Sequence, residues 1–233
     1  EVNDMSTARY AGAGAGQTNT AALSFGGDDT SSALTATESW NGTNWTTLTS
    51  LSTARNNFQG SGTSTSTIAA GGQTPSTSPE YSATTEFWSQ DIPIGAWATG
   101  GALNTARQGV RGSGIQTAGL AVGGQGGGPT NELQQITELY NGSNWTEVNN
   151  PNTARSFAGA TGTQTSTLYF GGASPNTAAT ESWNGTNWTT VNSLNTARNG
   201  LGAAGVDNTS ALAIGGSTNV TEAWNGTNWT EVN

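Results

Sequence analysis

Five short segments with apolar residues at alternate positions, each broken by a pair of glycines, punctuate this 233-residue chain. Leu23/Phe25, Ile68/Ala70, Leu120/Val122, Leu168/Phe170 and Leu212/Ile214 stand three and one positions before glycine pairs that begin at Gly26, Gly71, Gly123, Gly171 and Gly215. A period of two ending in a glycine break predicts a β-strand. A small, Gly-rich segment precedes each alternation, for example "NNFQGSG" (56–62), "SFAGATG" (156–162) and "NGLGAAG" (199–205). Such segments suit inner strands, where neighbouring backbones crowd together. Thr-Glu-x-aromatic predicts a third strand and a following Trp opens a fourth. Between them N-G-T-N or N-G-S-N supplies residues that tolerate positive φ in a tight hairpin.

The four predicted strands recur in strict register. T-A-R ends at Arg9, Arg55, Arg107, Arg155 and Arg198, and the acid of Thr-Glu falls at Glu38, Glu86, Glu138, Glu181 and Glu222. Two residues further stand Trp40, Trp88, Tyr140, Trp183 and Trp224, then Trp45, Trp97, Trp145, Trp188 and Trp229. The second Trp lies ten residues before the next T-A-R arginine wherever the interval can be counted. Four-stranded units repeating at 46, 52, 48 and 43 residues predict an all-β chain folded as a β-propeller, each sheet burying its faces against its neighbours. The expectation is one domain, residues 1–233, of five blades with four antiparallel strands each. "EVN" at both ends makes Asn3 and Asn233 register equivalents, so the termini are expected to meet between strand four of the last blade and strand one of the first.

The order Arg, Gly-rich inner strand, Gly-Gly, Glu-x-aromatic, Trp resembles the Kelch repeat of propeller proteins, and the resemblance covers essentially the whole chain. "LSTARNNFQGSG" (51–62) and "LNTARNGLGAAG" (194–205) resemble the Kelch crossing into a blade's inner strand, and "TESWNGTNW" its third-to-fourth-strand hairpin. The chain departs from Kelch in preferring Trp to Tyr and in having five repeats rather than six or seven. Blade 2 also replaces the hairpin turn with "SQDIPIGA" (89–96). More loosely, the near-identical "WNGTNWTEVN" units resemble propeller modules of phage and bacterial surface proteins. That likeness implies an extracellular or virion-associated setting.

Composition narrows the chemistry. With neither Cys nor His, the chain has no disulfide, no thiolate nucleophile, no zinc-thiolate site and no imidazole base. All six basic residues are Arg and the net charge is −9, which leaves no basic patch for nucleic acid. No apolar stretch is long enough to span a membrane, so membrane insertion is not expected.

The five Arg and five Glu admit two readings. They form buried pairs with charges compensated, or the arginines make an electropositive ring near the channel that captures an anion. In Kelch domains the matching Arg positions lie on the ligand-receiving face, so the resemblance keeps Arg9, Arg55, Arg107, Arg155 and Arg198 as ligand-binding candidates. Their recurrence in equal number favours pairing, with Glu38, Glu86, Glu138, Glu181 and Glu222 structural. Trp45, Trp97, Trp145, Trp188 and Trp229 suit carbohydrate stacking, but recurrence in every blade favours packing.

The interval from Gly-Gly to Glu varies, at 12, 15, 15, 10 and 7 residues. Rigid scaffolds place recognition on such loops, which makes Asp28, Asp29, Glu80, Tyr81 and Gln134 further ligand-binding candidates. Asp28-Asp29 falls far short of a calcium loop, and no metal or other cofactor is expected. Acids at equivalent positions in all blades look architectural rather than like a glycosidase pair. The expectation is a non-enzymatic, monomeric binding module that takes a glycan or protein on its variable loop face. A purely structural spacer and a hydrolase are the alternatives.

Overall fold

A computed structural model describes residues 2–75, 80–90, 95–126, 131–173 and 175–232, and within them the chain is all-β with no helix. Five four-stranded antiparallel sheets follow one another along the sequence, arranged as the blades of a β-propeller. Their first strands are Ala13–Thr18, Gln59–Gly62, Arg111–Ile115, Gly159–Thr163 and Gly202–Asp207. All five line one axial cavity of about 710 Å³ and are therefore the inner strands. Inner strands of successive blades lie so close that a Cβ on Gly60 would come within 2.7 Å of the Ala13 Cβ. That crowding explains the Gly-rich composition.

The second strands of blades 2–4, Ser66–Ala70, Ala118–Val122 and Ser166–Phe170, are buried on both faces rather than on one. Leu23/Phe25 and their counterparts in blades 2–4 face the following blade. The residue between them (Ala69, Ala121, Tyr169) faces the preceding one. A sheet sandwiched between two others needs apolar or small residues at every position, so the alternation is shallower than in a one-sided sheet. Blade 2 adds a two-stranded ribbon, Gln73–Thr74 paired with Glu80–Tyr81, inside its longer loop. Despite its divergent turn, blade 2 still sets Trp88 opposite Trp97. Residues 91–94 of that turn lie outside the described residues, as do Asn233 and Glu1 at the ends.

W-N-G-T-N-W resolves into separate tasks. The two Trp rings face each other across the hairpin, 5.3 Å apart in Trp183–Trp188 and 5.4 Å in Trp224–Trp229, a tilted cross-strand pair. Gly42, Gly142, Gly185 and Gly226 take φ near +90°, which an L side chain rarely adopts. The first Asn keeps negative φ and works instead through its side chain. Asn184 Oδ1 accepts the N–H groups of Thr186 and Asn187 at 3.0 and 2.9 Å, an Asx turn repeated at Asn41, Asn141 and Asn225. The second Asn latches the chain arriving from the preceding blade: Asn149 Nδ2 donates to Asn187 Oδ1 at 2.9 Å and Asn192 Nδ2 to Asn228 Oδ1 at 2.8 Å.

The second Trp also joins blades. Its indole N–H donates to the Thr of Thr-Glu in the preceding blade: Trp97 to Thr37, Trp145 to Thr85, Trp188 to Thr137 and Trp229 to Thr180, at 2.9–3.1 Å. The ring packs beneath the preceding blade's second strand, as Trp229 does on Phe170 with centroids 4.8 Å apart. Replacing Trp188 with Phe removes one such donor, strands the Thr137 hydroxyl and thins the joint. We expect a loss of about 2 kcal/mol, measured as a lower urea midpoint at unchanged m-value.

Candidate functional site

Each T-A-R arginine turns inward from the connector between blades and is buried against the Glu of its own blade. The pairs are Arg9–Glu38, Arg55–Glu86 (2.8 Å), Arg107–Glu138 (2.8 Å), Arg155–Glu181 (3.1 Å) and Arg198–Glu222 (3.1 Å). Burial of the guanidinium lowers the pKa of Arg55 and Arg107, opposed by the adjacent Glu86 and Glu138 carboxylates. None of these arginines lines the axial cavity, whose wall is Gly, Ala, Ser, Thr, Gln, Ile and Val with no ionisable side chain.

The guanidinium also closes the mouth of the variable loop. Arg9 Nη1 donates to Gly26 O (3.2 Å) and Ala36 O (2.7 Å), the carbonyls at the two ends of that loop. Arg55 repeats this with Gly71 O and Thr84 O, at 3.1 and 2.9 Å. The other Glu oxygen holds the connector at a position the sequence reading passed over, three residues before the Arg. Glu38 accepts from Ser6 N and Oγ at 2.8 Å, Glu138 from Asn104 N and Nδ2 at 2.7 and 2.8 Å, and Glu222 from Asn195 N and Nδ2 at 2.8 Å. Ser52 and Asn152 occupy the same position. Only Ser and Asn appear there, the two residues that present a short donor to a carboxylate; that restriction was the available signal. Although desolvation pulls the other way, the Ser6 donors and the Arg9 guanidinium hold the Glu38 carboxyl below the usual range.

Above the ion pairs, two further positions per blade meet on the loop face. The residue after Arg and the first residue beyond Gly-Gly bridge in antiparallel fashion: Tyr10 with Asp28, Asn56 with Gln73, Gln108 with Gln125, and Ser156 with Ala173. In blade 5 Ser217 N donates to Asn199 O at 3.2 Å. Their side chains interlink within and between blades. Asp28 accepts from the Tyr10 hydroxyl and from Asn56 Nδ2, both at 3.1 Å. Ser156 Oγ donates to Gln125 Oε1 at 3.1 Å, and Asn199 Nδ2 donates to Asn176 Oδ1. The result is a belt of carboxamides, hydroxyls and one carboxylate, edged by the Tyr10 side chain, which is 56% exposed.

Of the loop candidates whose side chains are described, only Asp28 belongs to this belt. Asp29 caps its own turn by accepting from Ser31 N and Ser32 N, which lowers its pKa. Gln134 donates to Gly126 O and Glu132 O inside its own loop. The Tyr81 hydroxyl bonds Asn131 across to blade 3. Glu80 lies in the blade 2 ribbon by its backbone, and its side chain falls outside the described residues, as do residues 76–79, 127–130 and 174 of the variable loops. Among the described residues no three acids converge as a metal site requires. The belt escaped the sequence reading because Tyr, Asn, Gln, Ser and Asn follow the five arginines with no fixed letter. The shared hydrogen-bonding character was its only trace. No model of a known protein family and no curated protein matches the sequence.

Two outcomes test the ion pairs. Glu138→Gln leaves a buried guanidinium without its countercharge, and we expect a loss of about 3–5 kcal/mol in urea unfolding. The double replacement Arg107→Met with Glu138→Leu should lose less than that single change. Because Glu38 is depressed in the folded state, its contribution is complete above the unfolded value of about 4.3 and disappears as pH falls through the lower folded value. The stability gap between the natural chain and Glu38→Gln should therefore narrow steadily below pH ~4.

Proposed function

We propose that this propeller is a non-enzymatic binding module whose loop face takes a glycan. The observation that carries the reading is the polar belt whose exposed or half-buried members are Tyr10, Asp28, Asn56, Gln125 and Asn199, with the buried Gln108 and Ser156 set among them. Carboxamides offer donors and acceptors in pairs, a carboxylate offers acceptors, and sugar hydroxyls need both from a single surface. The exposed Tyr10 ring supplies an apolar plane beside them. The arginine clamps fix the base of every loop, so polar groups of the belt are held in place before a ligand arrives, which limits the entropy lost on binding. The cavity wall offers no acid or base for hydrolysis. The Kelch-type resemblance adds weight, since it implies ligand capture on this same face, and the phage or surface-protein likeness suits a glycan-reading module outside the cell.

A glycan array probed with the whole chain tests the proposal. We expect at least one glycan class to bind, with Asp28→Ala and Asn56→Ala each weakening it by roughly tenfold, the scale of one lost hydrogen-bonding contact. Unfolding midpoints should change little, because both side chains lie above the buried clamp. An array without a binder overturns the glycan reading in favour of a spacer module.

A further inference from the structure

The joint between blades is made four times and stands open at a fifth place. At each filled joint three contacts recur. The Trp indole donates to the preceding Thr, as described. The second glycine of Gly-Gly donates its N–H to the following arginine's carbonyl: Gly27 to Arg55, Gly72 to Arg107, Gly124 to Arg155 and Gly172 to Arg198, at 2.9–3.0 Å. The residue two beyond each arginine takes positive φ and donates its N–H to its counterpart one blade back. This rail runs Gly200 to Phe157, Phe157 to Gly109, Gly109 to Asn57 and Asn57 to Ala11.

Blade 5 and blade 1 each present half of this joint. Leu212 and Ile214 of blade 5 are 37% and 44% exposed, whereas Leu23, Phe25 and the matching residues of blades 2–4 are at most 2% exposed. Thr221 of blade 5 is half-buried where Thr37, Thr85, Thr137 and Thr180 are fully buried. Across the gap, Trp40 of blade 1 is likewise half-buried, while its counterparts Trp88, Tyr140, Trp183 and Trp224 are buried; Trp45 is half-buried, as Trp97 is at a filled joint. A Cβ on Gly200 would meet nothing, and one on Gly215 no neighbouring arginine carbonyl. Among the described residues no hydrogen bond links blade 5 to blade 1.

We infer that this gap is a docking site for one further four-stranded blade of the same repeat. Such a blade would bring a Trp indole to Thr221, an arginine carbonyl to Gly216 and an apolar face to Leu212 and Ile214. Its own second strand would cover Trp40 and Trp45, and its Thr would meet the Trp45 indole. The four filled joints show that each half-joint is complementary to a blade of this pattern. Seating blade 5 directly on blade 1 would require every filled joint to change its angle, and close-packed cores resist such continuous deformation. A second whole copy would bring five blades where only its first could enter.

The absence of cysteine gives a clean test. Leu212→Cys is introduced into the chain as it stands and into a chain extended behind Asn233 by a second copy of residues 193–233. Thiol labelling is then followed in both, with Leu168→Cys at a filled joint as the protected reference. We expect the thiol of Leu212→Cys to label freely in the five-repeat chain and at least roughly tenfold more slowly in the extended one, the scale of a locally protected site. Sedimentation should show a monomer in both cases. Protection in the monomeric five-repeat chain would mean that the ring closes on itself. Protection that rises with concentration would mean that a second copy fills the gap, and equal labelling in both chains would mean that no blade docks; each overturns the inference. Gly215→Ala, placed where no arginine carbonyl is met but where a Cβ at the filled-joint counterparts would come within 2.6–2.9 Å of one, supplies an independent check: it should lower the urea midpoint further in the extended chain than in the natural one.

Discussion

A guanidinium taken out of water must give its N–H groups to acceptors and its charge to a carboxylate, and the path of the chain through each blade follows from that demand. The arginine cannot be buried unless the connector arrives beneath the Gly-Gly turn, the two ends of the variable loop come together, and the Glu of strand three points inward. The same Glu then holds the connector through Ser6, Ser52, Asn104, Asn152 or Asn195. One ion pair thus ties three stretches of a blade that are far apart in sequence. This explains why T-A-R and T-E survive in every repeat while the residues between Gly-Gly and Glu change in length and kind.

The division between constant and variable follows from where each residue points. Positions facing another blade are held by packing: the Trp pair, the Thr that receives an indole, and the glycines between inner strands. The positions after each arginine, exposed at Tyr10 and buried at Gln108 and Ser156, have only to keep hydrogen-bonding character, so they drift from Tyr to Asn to Gln to Ser. A scaffold clamped below and free above can change what it recognises without changing how it folds. The buried pair carries the opposite constraint, because losing either partner leaves an uncompensated charge in the interior.

Much of this was legible in the chain itself. Repeat spacing exposed the blades, alternation before Gly-Gly located the second strands, and the equal recurrence of T-A-R arginines and Thr-Glu acids pointed to pairing. The Asn of N-G-T-N was read for its backbone tolerance, yet Asn184 acts through its carboxamide on the N–H groups of Thr186 and Asn187. The blade 2 ribbon was unreadable because two residues on each side carry no periodicity. The belt was unreadable for a different cause: Tyr10 and Asp28, or Gln125 and Ser156, come together only once the connector crosses the loop.

The sequence by itself determined the unit, because register, glycine placement and turn chemistry are local and repeat every time the chain passes through a blade. It also set one T-A-R arginine and one Thr-Glu acid in every unit, since their positions recur at fixed places in the repeat. Only the tertiary structure decided which surfaces of those units remain uncovered. Leu212 and Ile214 carry the same pattern as Leu168 and Phe170, and nothing in their letters distinguishes an exposed face from a buried one. Burial is a property of the neighbour, and in a ring of near-identical blades the neighbour is settled by the angle at every joint together.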